Sequence, residues 1–294
     1  MKIGLFGKKF SSDNQEYLQL LIKTLESNNI EISVLESYYL MILPYVTFST
    51  KPKLLQNDKI LQNEVDVLFS IGGDGTLLSS VGVIQDSNIP VLGVNIGHLG
   101  FLTSVNPNNG VENFVSEFIA GNYDIENHSL LHVEMIQNRE TTHSFVMNEV
   151  YIHRENSCSM LSANVYINGE ILATYNGDGL IVSTPTGSTA YSLSCGGPIL
   201  TPDSNCFLIT PIAVHTLTLR PVVVPESSKI RLVPGDKTQQ IFVGRDSKME
   251  LMTSDREILL YKENFSIKLI RMKNQGFYSA IREKLMWGAN GVNK

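Results

Sequence analysis

The periodicity of the chain changes from helical to strand spacing near Leu131, and no other feature constrains the fold as much. Before that point, apolar runs of strand length alternate with segments of helical spacing; after it, short β-branched runs recur between turn residues. Ile3–Phe6, Ile30–Leu35, Val65–Ile71 and Pro90–Val94 read as strands. Leu18, Leu21, Ile22 and Leu25 share one face of a helix over Asp13–Ser27, and Thr76–Ile84 forms a second helix. Such alternation predicts an α/β domain with a parallel sheet covered by helices.

Past Leu131 the predicted strands are Glu149–His153, Asn164–Ile167, Ile171–Tyr175, Leu180–Ser183, Val222–Val224, Ile230–Val233, Ile241–Val243 and Glu257–Tyr261. Asn168-Gly169 between two of them is a hairpin signal, because both residue types accept positive φ. This half reads as an all-β, sandwich-like domain. Gly276–Trp287 returns to helical spacing, with Phe277, Ile281 and Leu285 on one stripe, and is expected to pack back on the first domain. The expected divisions are residues 1–125, 126–265 and a tail over 266–294.

With 294 residues, 43% of them hydrophobic, the chain can bury two cores. A formal net charge of −6 argues against nucleic acid as a partner, since phosphate-backbone affinity needs a basic face. Cys158, Cys195 and Cys206 are odd in number and lack C-x-x-C spacing, which fits a reducing, cytoplasmic setting. Lys8 and Lys9 interrupt the N-terminal apolar run, and the greasiest segment, Tyr38–Val46, is short and contains Pro44, so neither a leader nor a membrane span is expected. An anionic ligand must then be held by local donors.

Three loops supply such donors. Ile71–Leu78, "IGGDGTLL", follows a buried strand and precedes a helix, the position where open α/β sheets bind ligands. Gly72, Gly73, Gly75 and Thr76 offer a close backbone approach and helix N-terminal N–H groups to phosphate. Asp74 is out of place in a purely phosphate-cradling loop. It serves either as an acceptor that holds a tight bend or as a carboxylate that takes a proton from an attacking hydroxyl or helps position a metal. Gly93–Thr103, "GVNIGHLGFLT", carries Gly93, Gly97 and Gly100 after the next strand and is expected beside the first loop.

The third stretch, Asn176–Pro198, sets Ser183, Thr184, Thr186, Ser188, Thr189, Tyr191, Ser192 and Ser194 between glycines, a lining able to read a nucleotide's polar edges. Asn148 and Glu149 begin a strand and reach one ligand together only if its end bulges. His128 and His132 are four apart, yet their neighbours look like strand entry and no third ligand is close in sequence, so they read as scattered histidines. Arg245, Lys248 and Arg256 read most simply as a solvated strand edge, although any of them could meet a phosphate.

Taken together and in order, "GGDGT" at Gly72–Thr76, "GVNIGHLGFLT" at Gly93–Thr103, "NEV" at Asn148–Val150 and "DGLIVSTPTGSTAYSLSCGGP" at Asp178–Pro198 resemble the NAD kinases, as do "HTLTLRP" at His215–Pro221 and "FYSAIREKLMWG" at Phe277–Gly288. GGDGT alone is shared with lipid kinases. The resemblance implies transfer of the ATP γ-phosphate to the 2′-hydroxyl of the adenosine ribose of NAD, with Mg²⁺ carried mainly by ATP. By the same analogy Asp74 is the catalytic proton acceptor, with Gly75 beside it. Asn148 and Glu149 hold adenine and ribose groups, Asp178 faces the nicotinamide end, and Thr189, Ala190, Tyr191, Ser192, Leu193, Ser194 and Ala213 line the NAD pocket. A homodimer or homotetramer is implied on the same basis.

Overall fold

The computed structural model describes residues 1–56, 60, 63–96, 100–105, 110–137, 140–155, 160–235, 240–273 and 275–288. Gly97 and Cys158 lie outside the described residues. In chain order, β1 (Lys2–Phe6), α1 (Gln15–Ser27), β2 (Glu31–Leu35), α2 (Glu36–Ile42), β3 (Lys53–Leu55), β4 (Val67–Ile71), α3 (Asp74–Ile84), β5 (Val91–Val94) and α4 (Val111–Ile119) open the chain. Next come β6 (Tyr123–Gln137), β7 (Glu140–Val146), β8 (Glu149–Arg154), β9 (Leu161–Ile167), β10 (Glu170–Gly177), β11 (Gly179–Ser183) and the short α5 (Tyr191–Ser194). The chain ends through β12 (Cys206–Ile212), β13 (Val222–Pro225), β14 (Ile230–Pro234), β15 (Gln240–Arg245), β16 (Lys248–Thr253), β17 (Glu257–Met272) and α6 (Phe277–Leu285). Two compact units result: Met1–Asn127 with Ile267–Lys294, and His128–Ser266.

In the first unit the strands β3, β2, β1, β4 and β5 lie side by side and all parallel. Leu269, near the end of β17, adds a further parallel pairing with Val91 of β5. Every residue of β4 and of β5 is buried, as a parallel sheet covered on both faces requires. Helix α1 covers the sheet with Leu18, Leu21, Ile22 and Leu25, all buried. Phe118 of α4 meets Phe69 of β4 edge-on, ring centroids 5.1 Å apart. Strands β4 and β5 are in register from Leu68↔Val91 to Ile71↔Val94, so the two glycine loops leave adjacent strand ends. The tail returns to this unit as α6, which buries Ala280 and Ile281.

The second unit is β-rich, and its pairs β9–β10, β9–β14, β14–β17, β6–β7, β8–β11, β11–β12, β12–β13, β8–β15 and β15–β16 are antiparallel. One sheet runs β13-β12-β11-β8-β15-β16, and the other includes β10-β9-β14 and the start of β17, with β6 and β7 alongside. Val150, Ile152, Leu180, Val182 and Phe207 from the first sheet and Val165, Ile230, Leu232 and Leu260 from the second share one apolar core. Strand β9 alternates buried and partly buried residues, the period-two signature of a strand covered on one face. Its hairpin to β10 turns through Asn168 at φ 52° and Gly169 at φ 89°, the left-handed pair expected there.

Candidate active site

Helix α3 begins at Asp74 itself, two residues earlier than the apolar pattern shows, so Asp74, Gly75 and Thr76 form its first turn rather than a free loop. Gly72, at φ 146°, donates its N–H to Val94 O (2.9 Å) and closes the β4–β5 ladder. A side chain added at Gly73 or Gly75 would meet no protein atom within 4 Å, which leaves open the approach to the helix N-terminus that an anion requires.

The carboxylate of Asp74 is tied to the second loop. Oδ2 accepts from the Phe101 N–H (2.8 Å), and Oδ1 accepts from Leu102 N–H (3.1 Å) and Thr103 N–H (3.2 Å). A Cβ on Gly100 would stand 1.7 Å from Asp74 Oδ1, so only glycine permits this approach. The same loop is gripped from its other side by Arg271 of β17, which is 5% exposed. Its Nη1 donates to Phe101 O (3.2 Å), while Nε and Nη2 donate to Glu126 Oε2 (3.2 and 3.1 Å). Lys284 Nζ of α6 lies 3.7 Å from Asp74 Oδ2 and 4.7 Å from the centre of the Phe101 ring. An ionised carboxylate accepts about four hydrogen bonds. Three main-chain donors therefore leave capacity on Oδ2 for a hydroxyl.

In the second unit Asn148 and Glu149, 9% and 6% exposed, stand at the start of β8. Asp246, at φ 48° in the turn between β15 and β16, accepts from three successive N–H groups: Met147 (2.8 Å), Asn148 (2.8 Å) and Glu149 (3.1 Å). Its own N–H donates to Glu149 O (3.0 Å). Successive N–H groups of a regular strand point to opposite sides, so this convergence requires the irregular strand end that joint use of the pair demands. Asn148 Oδ1 and Glu149 Oε2 are buried with no hydrogen-bond partner among the described residues. Burial, and then the negative charge of Asp246, push the Glu149 carboxyl up to about 8, against a lowering hydrogen bond from the Tyr191 N–H. Burial also raises Asp246, opposed by the three N–H donors.

Tyr191 opens α5 and meets Tyr151 of β8 edge-on at 5.4 Å. The two rings, with His153, Phe242 and Met249, line an open pocket of about 370 Å³. Burial raises the Tyr191 hydroxyl, with Cys195, Tyr151 and Asp178 adding to the shift. Asp178 Oδ1 is ion-paired with Arg154 Nε at 2.8 Å. Ala213 adopts φ 43° and is exposed, as is Ser194, while Thr189, Ala190 and Leu193 are half-buried.

The hydroxyl-rich stretch works differently from its sequence reading. Thr184 Oγ1 donates to Met147 O (2.5 Å), Thr186 pairs with His128 (2.8 Å), Ser188 donates to Pro185 O (2.6 Å), Thr189 to Thr186 O (3.1 Å), and Ser192 pairs with Thr210 (2.7 Å). These groups fold the turn over the Asn148 end of β8 instead of presenting a row of free hydroxyls. Among the described residues, the Oγ of buried Ser183 has no hydrogen-bond partner. Arg245 is likewise no bare edge residue, for it bonds Ser144 Oγ (3.1 Å) and Glu250. Sequence reasoning missed Asp246 and Arg271, whose partners lie about a hundred or more residues away along the chain.

The ATP-NAD kinase N-terminal domain matches residues 11–123 and the ATP-NAD kinase C-terminal domain matches residues 147–272. An NAD kinase of Cytophaga hutchinsonii is 39% identical over 301 residues, and one of Flavobacterium psychrophilum 36% over 295, each over the whole of both chains. Among solved structures, yeast NADH kinase complexed with NADH shares the fold with a TM-score of 0.84 at 24% identity, covering all of this chain and 89% of that one. An NAD kinase from Archaeoglobus fulgidus in complex with ATP gives 0.70 at 21%, covering 97% of this chain and 99% of that one. Fold and sequence relatives together define a kinase, a phosphotransferase. The chain belongs to the ATP-NAD kinase family.

Proposed function

We propose that the chain transfers the γ-phosphate of ATP to the 2′-hydroxyl of the adenosine ribose of NAD, giving NADP and ADP. The observation that carries this reading is the end-to-end relation to NAD kinases at up to 39% identity. In the transfer, the hydroxyl oxygen attacks the γ-phosphorus, the bond to the ADP oxygen breaks, and the hydroxyl proton passes to Asp74. Because Asp74 is fixed by three main-chain donors, it is positioned before substrate arrives, and positioning is most of what phosphoryl transfer asks of a protein.

Asn148 Oδ1 and Glu149 Oε2 are suited to the amino group and ribose hydroxyls of NAD, since a bound ligand would give these buried polar atoms the partners they lack among the described residues. Tyr191 provides an aromatic face, and Thr189, Ala190, Leu193 and Ser194 belong to the same turn. Mg²⁺ is commonly held by one or two carboxylates together with substrate phosphates. A Mg²⁺ ion carried mainly by the ATP phosphates would neutralise charge on the transferred phosphoryl group, and the remaining capacity of Asp74 Oδ2 would stay with the hydroxyl. The half-buried free thiols Cys195 and Cys206 suit a cytoplasmic setting.

The test is NADP formation from NAD, ATP and Mg²⁺, read with an NADP-specific dehydrogenase, for wild type and Asp74→Asn. The expected result is product from wild type and a fall in kcat of ~10²-fold or more in the variant, with the KM for NAD little changed. Equal kcat values would remove Asp74 as the proton acceptor. Retained NAD binding without product in wild type would point to a non-catalytic NAD sensor.

A further inference from the structure

His132 and Glu134 occupy alternate positions of β6, so both face the same side of the strand, and His143 sits directly across from Glu134 on β7. His132 Nε2 lies 3.2 Å from His143 Nδ1, and His143 Nδ1 lies 3.8 Å from Glu134 Oε1. One ligand atom from each of the three residues falls within 4.8 Å of the other two. A tetrahedral zinc site with bonds of about 2.0–2.2 Å has ligand–ligand edges of roughly 3.3–3.6 Å. Two of the edges observed here already bracket that value.

The surroundings of the three residues are arranged as in a metal site. His132 Nδ1 is 2.6 Å from Glu263 Oε2 of β17, a bond that puts its proton on Nδ1 and turns the lone pair of Nε2 toward His143. Tyr261 donates its hydroxyl to Glu134 Oε1 at 2.5 Å, and its ring stacks on His132 with centroids 4.6 Å apart. The two supporting contacts fix both inner ligands before any ion arrives. Glu263 and His132 are 9% and 16% exposed and His143 is 57% exposed, so an ion can enter from the His143 side.

We propose that His132, Glu134 and His143 form a binding site for a divalent transition-metal cation, best suited to Zn²⁺, with Glu263 and Tyr261 orienting its ligands. Two imidazoles and one carboxylate are a donor set of borderline softness that favours Zn²⁺ over Mg²⁺, and they leave a fourth position for water. The ion would fasten β7, which pairs only with β6 among the described strands, and through Glu263 would link the hairpin to β17. His128 and His132, four apart in sequence and read there as scattered histidines, have different partners. His128 Nδ1 bonds Thr186, and the second imidazole comes from across the hairpin.

The test uses the full-length protein, stripped with chelator and titrated with Zn²⁺ or Co²⁺ alone. Expected are one Zn²⁺ per chain, an intense visible Co²⁺ spectrum of the tetrahedral type, and a rise in melting temperature on loading. His143→Ala, at a largely exposed ring, is expected to keep the fold and weaken Zn²⁺ binding ~100-fold, and Glu263→Gln to weaken it by ~10–100-fold. His215→Ala, a histidine outside the cluster, should leave it unchanged. Wild-type affinity in His143→Ala would overturn the proposal. A thiolate-to-cobalt charge-transfer band would do the same, since it would place the ion on one of the cysteines, Cys158, Cys195 or Cys206.

Discussion

A carboxyl group that is buried beside a second carboxylate holds its proton into neutral pH, and Glu149 is such a group. Below its ordinary 4.5 it is protonated in both the folded and the unfolded chain. Between 4.5 and about 8 the folded protein keeps a proton that the unfolded chain has released, so stability falls as pH rises through that interval and levels off above about 8. Asp246, also raised, adds a contribution of the same sign. Glu149→Gln imitates the neutral acid, and its urea midpoint is expected to fall less steeply than that of wild type across the interval. Parallel slopes for the two proteins would show that Glu149 is already ionised. Asp74 was legible from sequence because a charge among glycines has no phosphate-cradling purpose. Its grip on the Phe101–Thr103 main chain was not, because backbone donors carry no sequence label.

At the scale of elements, turns hold the site together as much as strands do. The β15–β16 turn projects Asp246 onto three N–H groups at the start of β8, and the turn before α5 packs its hydroxyls inward. Asp246→Ala would leave those N–H groups without acceptors in a buried place. The expected cost is about 1–3 kcal/mol of stability, and the KM for NAD is expected to rise at least ~10-fold because Asn148 and Glu149 lose their common anchor. A stability loss with unchanged KM would make Asp246 a structural prop only. Much of this scale was readable: β-branched runs marked β8 to β11 and β13 to β15, and Asn168-Gly169 fixed a hairpin. Asp246 escaped because it stands between Arg245 and Lys248, where a charged turn looks like solvated edge. Helix α4 escaped although Val111, Phe114, Val115 and Phe118 are all buried at helical spacing. The true start of α3 was hidden because glycines at a helix N-terminus resemble a loop.

For the whole molecule, the order of segments along the chain matters more than the count of domains. The first unit is built from two stretches separated by the entire second unit, His128–Ser266. Its sheet takes its last parallel pairing from Leu269, and its second glycine loop takes Arg271 from the same returning strand. Residues 1–127 alone would lack both, leaving the Val91 edge of β5 open and Glu126 without its guanidinium. Exposed strand edges favour association, and a severed charged pair is destabilising. Arg271 Nη2 lies 3.1 Å from Glu126 Oε2 and the Lys273 N–H donates to Asn122 O (3.2 Å), so the chain runs close together on either side of the two breaks and a Gly/Ser linker can span them. The fragment 1–127 is expected to be unfolded or aggregated. Residues 1–127 joined through such a linker to 267–294 are expected to melt in one cooperative transition by circular dichroism. Cooperative melting of 1–127 alone would show that the returning segment is dispensable for folding, leaving it only the task of holding the loop that Asp74 grips.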